Sequence, residues 1–99
     1  MARKAFDNNE LETAYAILKA AIFYNQENPT SFVQMGRLQL AINQKDSAEI
    51  AFNQAFRIDP SNEEALQELI VFYKKRSDYY KVKIYTDRLN KLIKRQLTK

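Results

Sequence analysis

The stretch between residues 32 and 60 constrains the fold more than any other part of the chain. It contains Gly36, the single glycine of the sequence, inside a pattern that otherwise predicts a helix. A glycine in a helix interior costs about 1 kcal/mol relative to alanine, so it usually has a packing reason. Ala48 and Ala55 lie seven positions apart and share one face of a following helix. Small residues on both segments therefore predict two antiparallel helices in close contact, with Phe32 and Phe52 filling the space beside them.

The pattern recurs when the sequence is shifted by 34 positions in either direction. Asn43, which ends the first helix of the stretch, falls on Asn9 and Ser77. The period decays in the last copy, where Ile70 replaces Gly36 and Thr86 replaces Phe52. The other matching positions are apolar or small: Ala14, Leu18 and Ala21 in the first copy, and Leu66, Leu69, Val82 and Leu89 in the last.

This spacing resembles the tetratricopeptide repeat (TPR), a helix–turn–helix unit of about 34 residues. One difference from the family pattern is Gln39, which stands where TPR units usually have tyrosine; Tyr73 restores that tyrosine in the last copy. The resemblance implies an all-α fold, a right-handed superhelical array of antiparallel helix pairs (a TPR-like α-solenoid) with about two and a half repeats. The residues that carry the resemblance are Phe32, Met35, Gly36, Ala48, Phe52, Ala55 and Pro60.

The chain is predicted to form one domain over residues 1–99. A partial repeat at 1–28 precedes a complete repeat at 29–62 and a divergent terminal repeat at 63–97. Residues 1–8 are expected to be the tail of a helix that ends at a left-handed Asn9. Five further helices are predicted at 10–25, 29–42, 45–58, 61–76 and 79–96.

Three helix starts carry capping signals. Asn28 before Pro29 predicts an N-cap followed by a proline at the first helical position. The pairs Asp46 with Glu49 and Ser61 with Glu64 have the spacing of capping boxes.

The composition gives no support for catalysis. Cysteine and histidine are both absent, which removes thiolate chemistry, disulfides, the commonest general base and the commonest metal ligand. A single glycine cannot form a phosphate-binding loop. We therefore predict no catalytic site, no metal and no cofactor. No apolar run approaches the length of a membrane-spanning helix, and no signal peptide is visible.

In the TPR family the first helix of each pair lines a concave groove that holds a peptide or a partner helix. The resemblance thus implies a non-catalytic protein–protein interaction module, an adaptor or an assembly scaffold. An acidic, partly apolar partner segment suits the mixed character of this surface; alternatively, its apolar residues are simply partly exposed and need no partner. The residues at the matching positions are Arg3, Phe6, Val33, Arg37, Leu40, Gln67, Val71 and Lys74.

One TPR subclass binds C-terminal carboxylates of chaperones through basic and amide side chains. The chain departs from that subclass, because Glu64 and Glu68 occupy two of the matching positions and would repel a carboxylate. We therefore do not expect a chaperone-tail partner.

The positive charge is concentrated at the C-terminal end. Residues 1–73 hold six basic and ten acidic side chains, whereas residues 74–99 hold ten basic and two acidic ones. Basic residues interleaved with tyrosines favour nucleic-acid binding as an alternative function, or contact with an anionic membrane surface. Two structural explanations compete: stabilisation by the helix dipole, and the polar outer face that a terminal repeat needs. The candidate basic surface is Lys81, Arg88, Lys91, Lys94 and Arg95.

Both ends of a repeat array expose an apolar stripe that a further repeat would cover. We hypothesise that one or both ends pair in a homodimer, or contact additional repeats of a longer parent chain. The stripes are Tyr15, Leu18 and Ile22 near the start, and Ile84, Leu89, Leu92, Ile93 and Leu97 near the end.

Overall fold

The computed structural model describes residues 8–97, and this part of the chain is entirely helical, without a β-strand. Each helix packs against its neighbours in sequence, and the second helix also contacts the fourth. The all-α prediction is confirmed, and every helix begins and ends within about two residues of its predicted position. The helices are α1 (Asn8–Tyr24), α2 (Pro29–Ala41), α3 (Lys45–Ile58), α4 (Glu63–Lys75) and α5 (Tyr79–Leu97).

The helix boundaries recur at the 34-residue period of the sequence. Helices α2 and α4 begin at Pro29 and Glu63, 34 positions apart, and they end at the same interval. Helices α1 and α3 end 34 positions apart, and α3 and α5 begin 34 positions apart. The period therefore describes the backbone as well as the side-chain pattern.

The turns after α2 and α4 are also equivalent. Asn43 and Ser77 both adopt the left-handed conformation, with φ of 63° and 60°. The next N–H donates to a carbonyl of the preceding helix, that of Gln39 at 2.7 Å in one turn and that of Tyr73 at 2.9 Å in the other. The prediction that Asn43 ends a helix is confirmed.

The core forms where α2, α3 and α4 meet. Phe52 on α3 is fully buried, as are Ala48 and Ala55 on the same face. A Cβ atom added to Gly36 of α2 would overlap the Phe52 ring. Gly36 is thus required by close packing against α3, as the sequence predicted. The remaining fully buried side chains of this core are Val33, Ala65, Leu66 and Leu69.

The N-cap of α2 is confirmed, whereas both predicted capping boxes are wrong. The Asn28 side chain accepts a hydrogen bond from the Thr30 N–H at 3.0 Å. Helix α4 is capped by Asn62, whose Oδ1 accepts from the Ala65 N–H at 2.8 Å. Ser61 lies one position too early, because its N–H donates to the Asp59 carboxylate in the preceding turn.

The N-cap position of α3 is Gln44, which makes no side-chain capping bond. Asp46 lies inside the first turn, where its carboxylate pairs with Arg76 at 3.3 Å. Glu49 instead accepts a hydrogen bond from Tyr73. The two carboxylates of the predicted box are therefore used in contacts between helices.

The expected turn at Asn9 is also wrong, because α1 already begins at Asn8 and continues through this residue. Glu10 in the first turn suits the positive end of the helix dipole. The rest of the predicted helix tail, residues 1–7, lies outside the described residues.

The two outer helices contribute little to the core. In the described part of α1 and in α5, no residue is fully buried. Ile17 of α1 is 63% exposed, and Ile84, Ile93 and Leu97 of α5 are exposed as well. Leu18, Ile22, Leu89 and Leu92 are half-buried. Apolar surface therefore remains open at both ends of the row of helices.

Candidate functional site

The structure brings together two of the predicted groove residues on neighbouring helices. Leu40 of α2 and Val71 of α4 are 37% and 48% exposed. Both line a cavity of about 290 Å³, whose wall also includes the Phe72 ring. We call the surface formed by Arg37, Leu40, Gln67, Val71 and Lys74 the α2–α4 surface.

Not all of the predicted groove residues lie at this cavity. Gln67 and Lys74 are exposed on α4 but do not line this cavity. Val33 is fully buried and belongs to the core, because it faces α3 and α4 instead of solvent. Arg3 and Phe6 lie outside the described residues.

An ion pair crosses the α2–α4 surface. The Arg37 guanidinium donates from Nε to the Glu68 carboxylate on α4. The pair spans 31 positions, the same separation as Leu40 and Val71, which line one cavity. Sequence reasoning missed Glu68 as the partner of Arg37. The residue 34 positions after Arg37 is Val71, and Glu68 lies one helical turn before it.

The cavity also has a basic rim. Lys45, Lys75 and Arg76 line it. The Arg76 guanidinium lies 4.7 Å from the centre of the Phe72 ring and within 3.6 Å of the Glu49 carboxylate. The 30-residue separation of Arg76 from Asp46 is close to the repeat period and offered a signal for this contact.

The residues of the candidate basic surface on α5 make different contacts. Lys81 and Arg88 place their cationic groups 4.8 Å and 5.6 Å from the Tyr73 and Phe56 ring centres. Arg88, Lys91 and Arg95 line a cavity of about 410 Å³. Asp87 lines the same cavity and pairs with Lys83 at 3.0 Å. Lys94 is exposed outside it.

A larger cavity, of about 580 Å³, lies between α1 and α3, with α2 as its floor. We call it the α1–α3 slot. Its apolar lining includes Ile22 of α1, Met35 of α2 and Ile50 of α3. Gln39 also lines it, 9% exposed, and its Oε1 atom has no hydrogen-bond partner among the residues that the structure describes. The signal that sequence reasoning left unused is Gln39 itself, which stands 34 positions before Tyr73.

The equivalent space between α3 and α5 is filled by aromatic rings. We call this region the α3–α5 wedge. Tyr73 and Tyr85 stack with centroids 5.9 Å apart and planes 9° apart. Phe56 meets Tyr85 edge-on at 5.3 Å. The Tyr73 hydroxyl donates to Glu49 at 2.6 Å, and the Tyr85 hydroxyl to Asn53 at 3.4 Å.

The electrostatics of this wedge favour neutral tyrosines. Burial of Tyr73, and next the hydrogen bond to Glu49, raise the pKa of Tyr73 to about 12. Burial, followed by the negative charge of Glu49, also raises the pKa of Tyr85. Both hydroxyls therefore stay protonated at neutral pH and act as hydrogen-bond donors between helices.

Within residues 8–97, no cluster of carboxylates has the arrangement of a metal site. Over the same range, no helix combines the length and apolar character needed to cross a membrane. Comparison of the chain with known protein families, with curated proteins and with solved structures finds no match.

Proposed function

We propose that the chain is a TPR-like α-solenoid of about two and a half repeats that serves as a non-catalytic protein-interaction module, an adaptor or assembly scaffold. The 34-residue recurrence of helix boundaries and turns supports the repeat assignment. The contact between α2 and α4, the first helices of two successive pairs, also supports it. Repeat arrays of this kind present extended surfaces to partners.

The observation that carries the function is the exposed apolar pair Leu40 and Val71 beside a basic rim. Apolar residues flanked by charges are suited to anchoring a peptide, since the anchors provide affinity and the charges provide orientation. Lys45, Lys75 and Arg76 around this cavity favour an acidic, partly apolar segment. The Arg37–Glu68 pair holds the two helices in register beside it.

The test is a pull-down from source-cell lysate with the wild type and the Val71→Glu variant, each with and without nuclease. Val71 is half exposed, so glutamate adds a charge to the surface without entering the core. Ile17→Glu, at an exposed position on α1, is the matched control. We expect protein partners that resist nuclease, persist with Ile17→Glu and are lost with Val71→Glu. If the Val71→Glu variant still captured the same protein partners, the assignment would be contradicted.

Nucleic-acid binding is the second candidate, because Arg88, Lys91 and Arg95 converge on one cavity. Such binding depends steeply on salt, since each phosphate contact releases counterions. The variant with Lys91, Lys94 and Arg95 changed to alanine would abolish it and leave peptide binding at the α2–α4 surface unchanged. Loss of all captured material after nuclease treatment would favour this candidate over the first.

A further inference from the structure

The α1–α3 slot and the α3–α5 wedge are equivalent positions of the 34-residue period with different side chains. A shift of 34 converts Gln39 to Tyr73 and Ala51 to Tyr85. Both Gln39 and Ala51 line the slot, and both tyrosines fill the wedge with a ring stack. The slot thus lies where the wedge holds two stacked rings, but the chain supplies no ring at these two positions.

The polar character of the slot specifies a hydrogen-bond donor. Gln39 is more than nine-tenths buried, and no described residue donates to its Oε1 atom. An unpaired buried acceptor is costly, so an occupant that donates an O–H or N–H gains from this atom. In the wedge the equivalent contact involves a phenol, because the Tyr73 hydroxyl donates to Glu49 at 2.6 Å.

The charges around the slot favour a neutral ring over an anionic one. In the wedge, Lys81 and Arg88 lie over aromatic rings. A shift of 34 positions replaces them with Ser47 and Gln54 in the slot. Glu27 is the one charged residue among those that line it in the described chain. A neutral phenol fits this surface, whereas a phosphorylated one would be repelled.

We propose that the α1–α3 slot is a second docking site, which receives an unmodified tyrosine side chain of a protein partner. The buried Gln39 amide turns toward the slot on binding, and the tyrosine hydroxyl donates a hydrogen bond to Gln39 Oε1. The slot lies between α1 and α3, away from the Leu40 and Val71 cavity. The proposal therefore goes beyond the function assigned to the α2–α4 surface, and the two can fail independently.

The experiment uses p-cresol, the side chain of tyrosine, and toluene, which lacks the hydroxyl. Each is titrated into the full chain, and NMR records the Gln39 side-chain amide and the methyl groups of Ile22 and Ile50. We expect both probes to shift these signals, with p-cresol bound about fivefold more tightly, the typical contribution of one hydrogen bond. Equal affinities, or shifts confined to other regions, would overturn the proposal.

Two variants separate the ring site from its acceptor. Ala51→Tyr places a ring of the chain itself in the slot and is expected to weaken p-cresol binding at least tenfold. Gln39→Leu keeps the volume but removes the acceptor, so p-cresol and toluene should then bind equally. Ile17→Glu, at an exposed position of α1 outside the slot lining, is the control and should leave both affinities unchanged. If Gln39→Leu still bound p-cresol about fivefold more tightly than toluene, the role of Gln39 would be rejected. This result does not depend on whether Ala51→Tyr folds.

Two further arms test the occupant. Phenyl phosphate should not shift the slot signals; binding as tight as that of p-cresol would reject the neutral-phenol assignment. Tyr24 of a second copy is a rival occupant, because this residue is 84% exposed. Slot signals that change on dilution in the wild type but not in Tyr24→Ala would assign the site to self-association instead of a partner.

Discussion

The α1–α3 slot and the α3–α5 wedge share a backbone plan and differ in what fills it. Each lies between two helices that are separated in sequence by a third one, and helix boundaries 34 positions apart frame them. Three aromatic rings fill the wedge, whereas the slot is an unfilled cavity of about 580 Å³. The comparison teaches that the 34-residue period determines the positions of the helices. A few side chains then determine whether the space between two helices is packed or left as a cavity.

The largest effect is expected when the wedge is given the residue of the slot. Tyr73→Gln removes the stacked ring and the hydroxyl that donates to the half-buried Glu49 carboxylate, which keeps Arg76 within 3.6 Å. We expect the free energy of unfolding to fall by about 3 kcal/mol, since loss of a large buried side chain leaves a cavity. Urea denaturation followed by circular dichroism measures this change.

The matched control is Tyr80→Gln, the same substitution at a tyrosine that is largely exposed on α5. Its effect should stay within about 0.5 kcal/mol. If the two variants lost equal stability, the aromatic packing of the wedge would contribute nothing specific, and the contrast with the slot would have no energetic basis.

The backbone of this molecule was more predictable from sequence than its surfaces. The 34-residue spacing located five helices, because apolar periodicity and turn residues are local signals. The role of Gly36 followed from its mid-helix position and was confirmed by the Phe52 contact. By contrast, Ser61 was chosen as the N-cap over Asn62, since neighbouring polar residues compete for that role and a one-residue shift decides it.

The candidate sites were harder to predict because they depend on pairs of side chains from different helices. No residue near Arg37 in the sequence indicates that its partner is Glu68, which lies on another helix. Val33 precedes the exposed Gln34 on α2 but faces the core, so its burial depended on the rotation of the helix. Gln39 was noted as a departure from the TPR pattern, yet its consequence, a cavity, required the position of α1.

The second effect concerns pH and uses the raised pKa of Tyr73. An unfolded tyrosine ionises near pH 10, whereas the pKa of Tyr73 in the folded chain is about 12. Below pH 10 both states hold the proton, so the stabilisation is fully present. As pH rises from 10 to 12, only the unfolded state releases the proton, and stability falls by about 2 to 3 kcal/mol.

The measurement is the free energy of unfolding in urea at several pH values between 8 and 12. Tyr73→Phe is the control, because it keeps the ring and removes the ionisable hydroxyl, while lysine deprotonation affects both proteins alike. The wild type should lose more stability than Tyr73→Phe over this interval. Parallel curves would mean that burial and the Glu49 hydrogen bond leave the ionisation of Tyr73 unchanged.

The smallest effect is expected when the slot is given the residue of the wedge. Gln39→Tyr replaces a buried acceptor that lacks a described partner with a ring that enters the cavity. Both changes favour folding. However, the residue 34 positions before Glu49 is Tyr15, so the new hydroxyl has no equivalent carboxylate to donate to. We therefore expect a gain of only about 1 kcal/mol in the free energy of unfolding.

Gln34→Tyr is the control for this last change, because Gln34 is exposed on the same helix and carries the same difference in helix propensity. If the free energy of unfolding rose only in Gln39→Tyr, the slot would have the space and polarity of the wedge. The open slot would then cost the wild-type chain about 1 kcal/mol of stability. A loss of stability would mean that α1 and α3 lie too close for a ring. The slot would then differ from the wedge in backbone spacing and not only in side chains, which would also remove the basis for a tyrosine occupant.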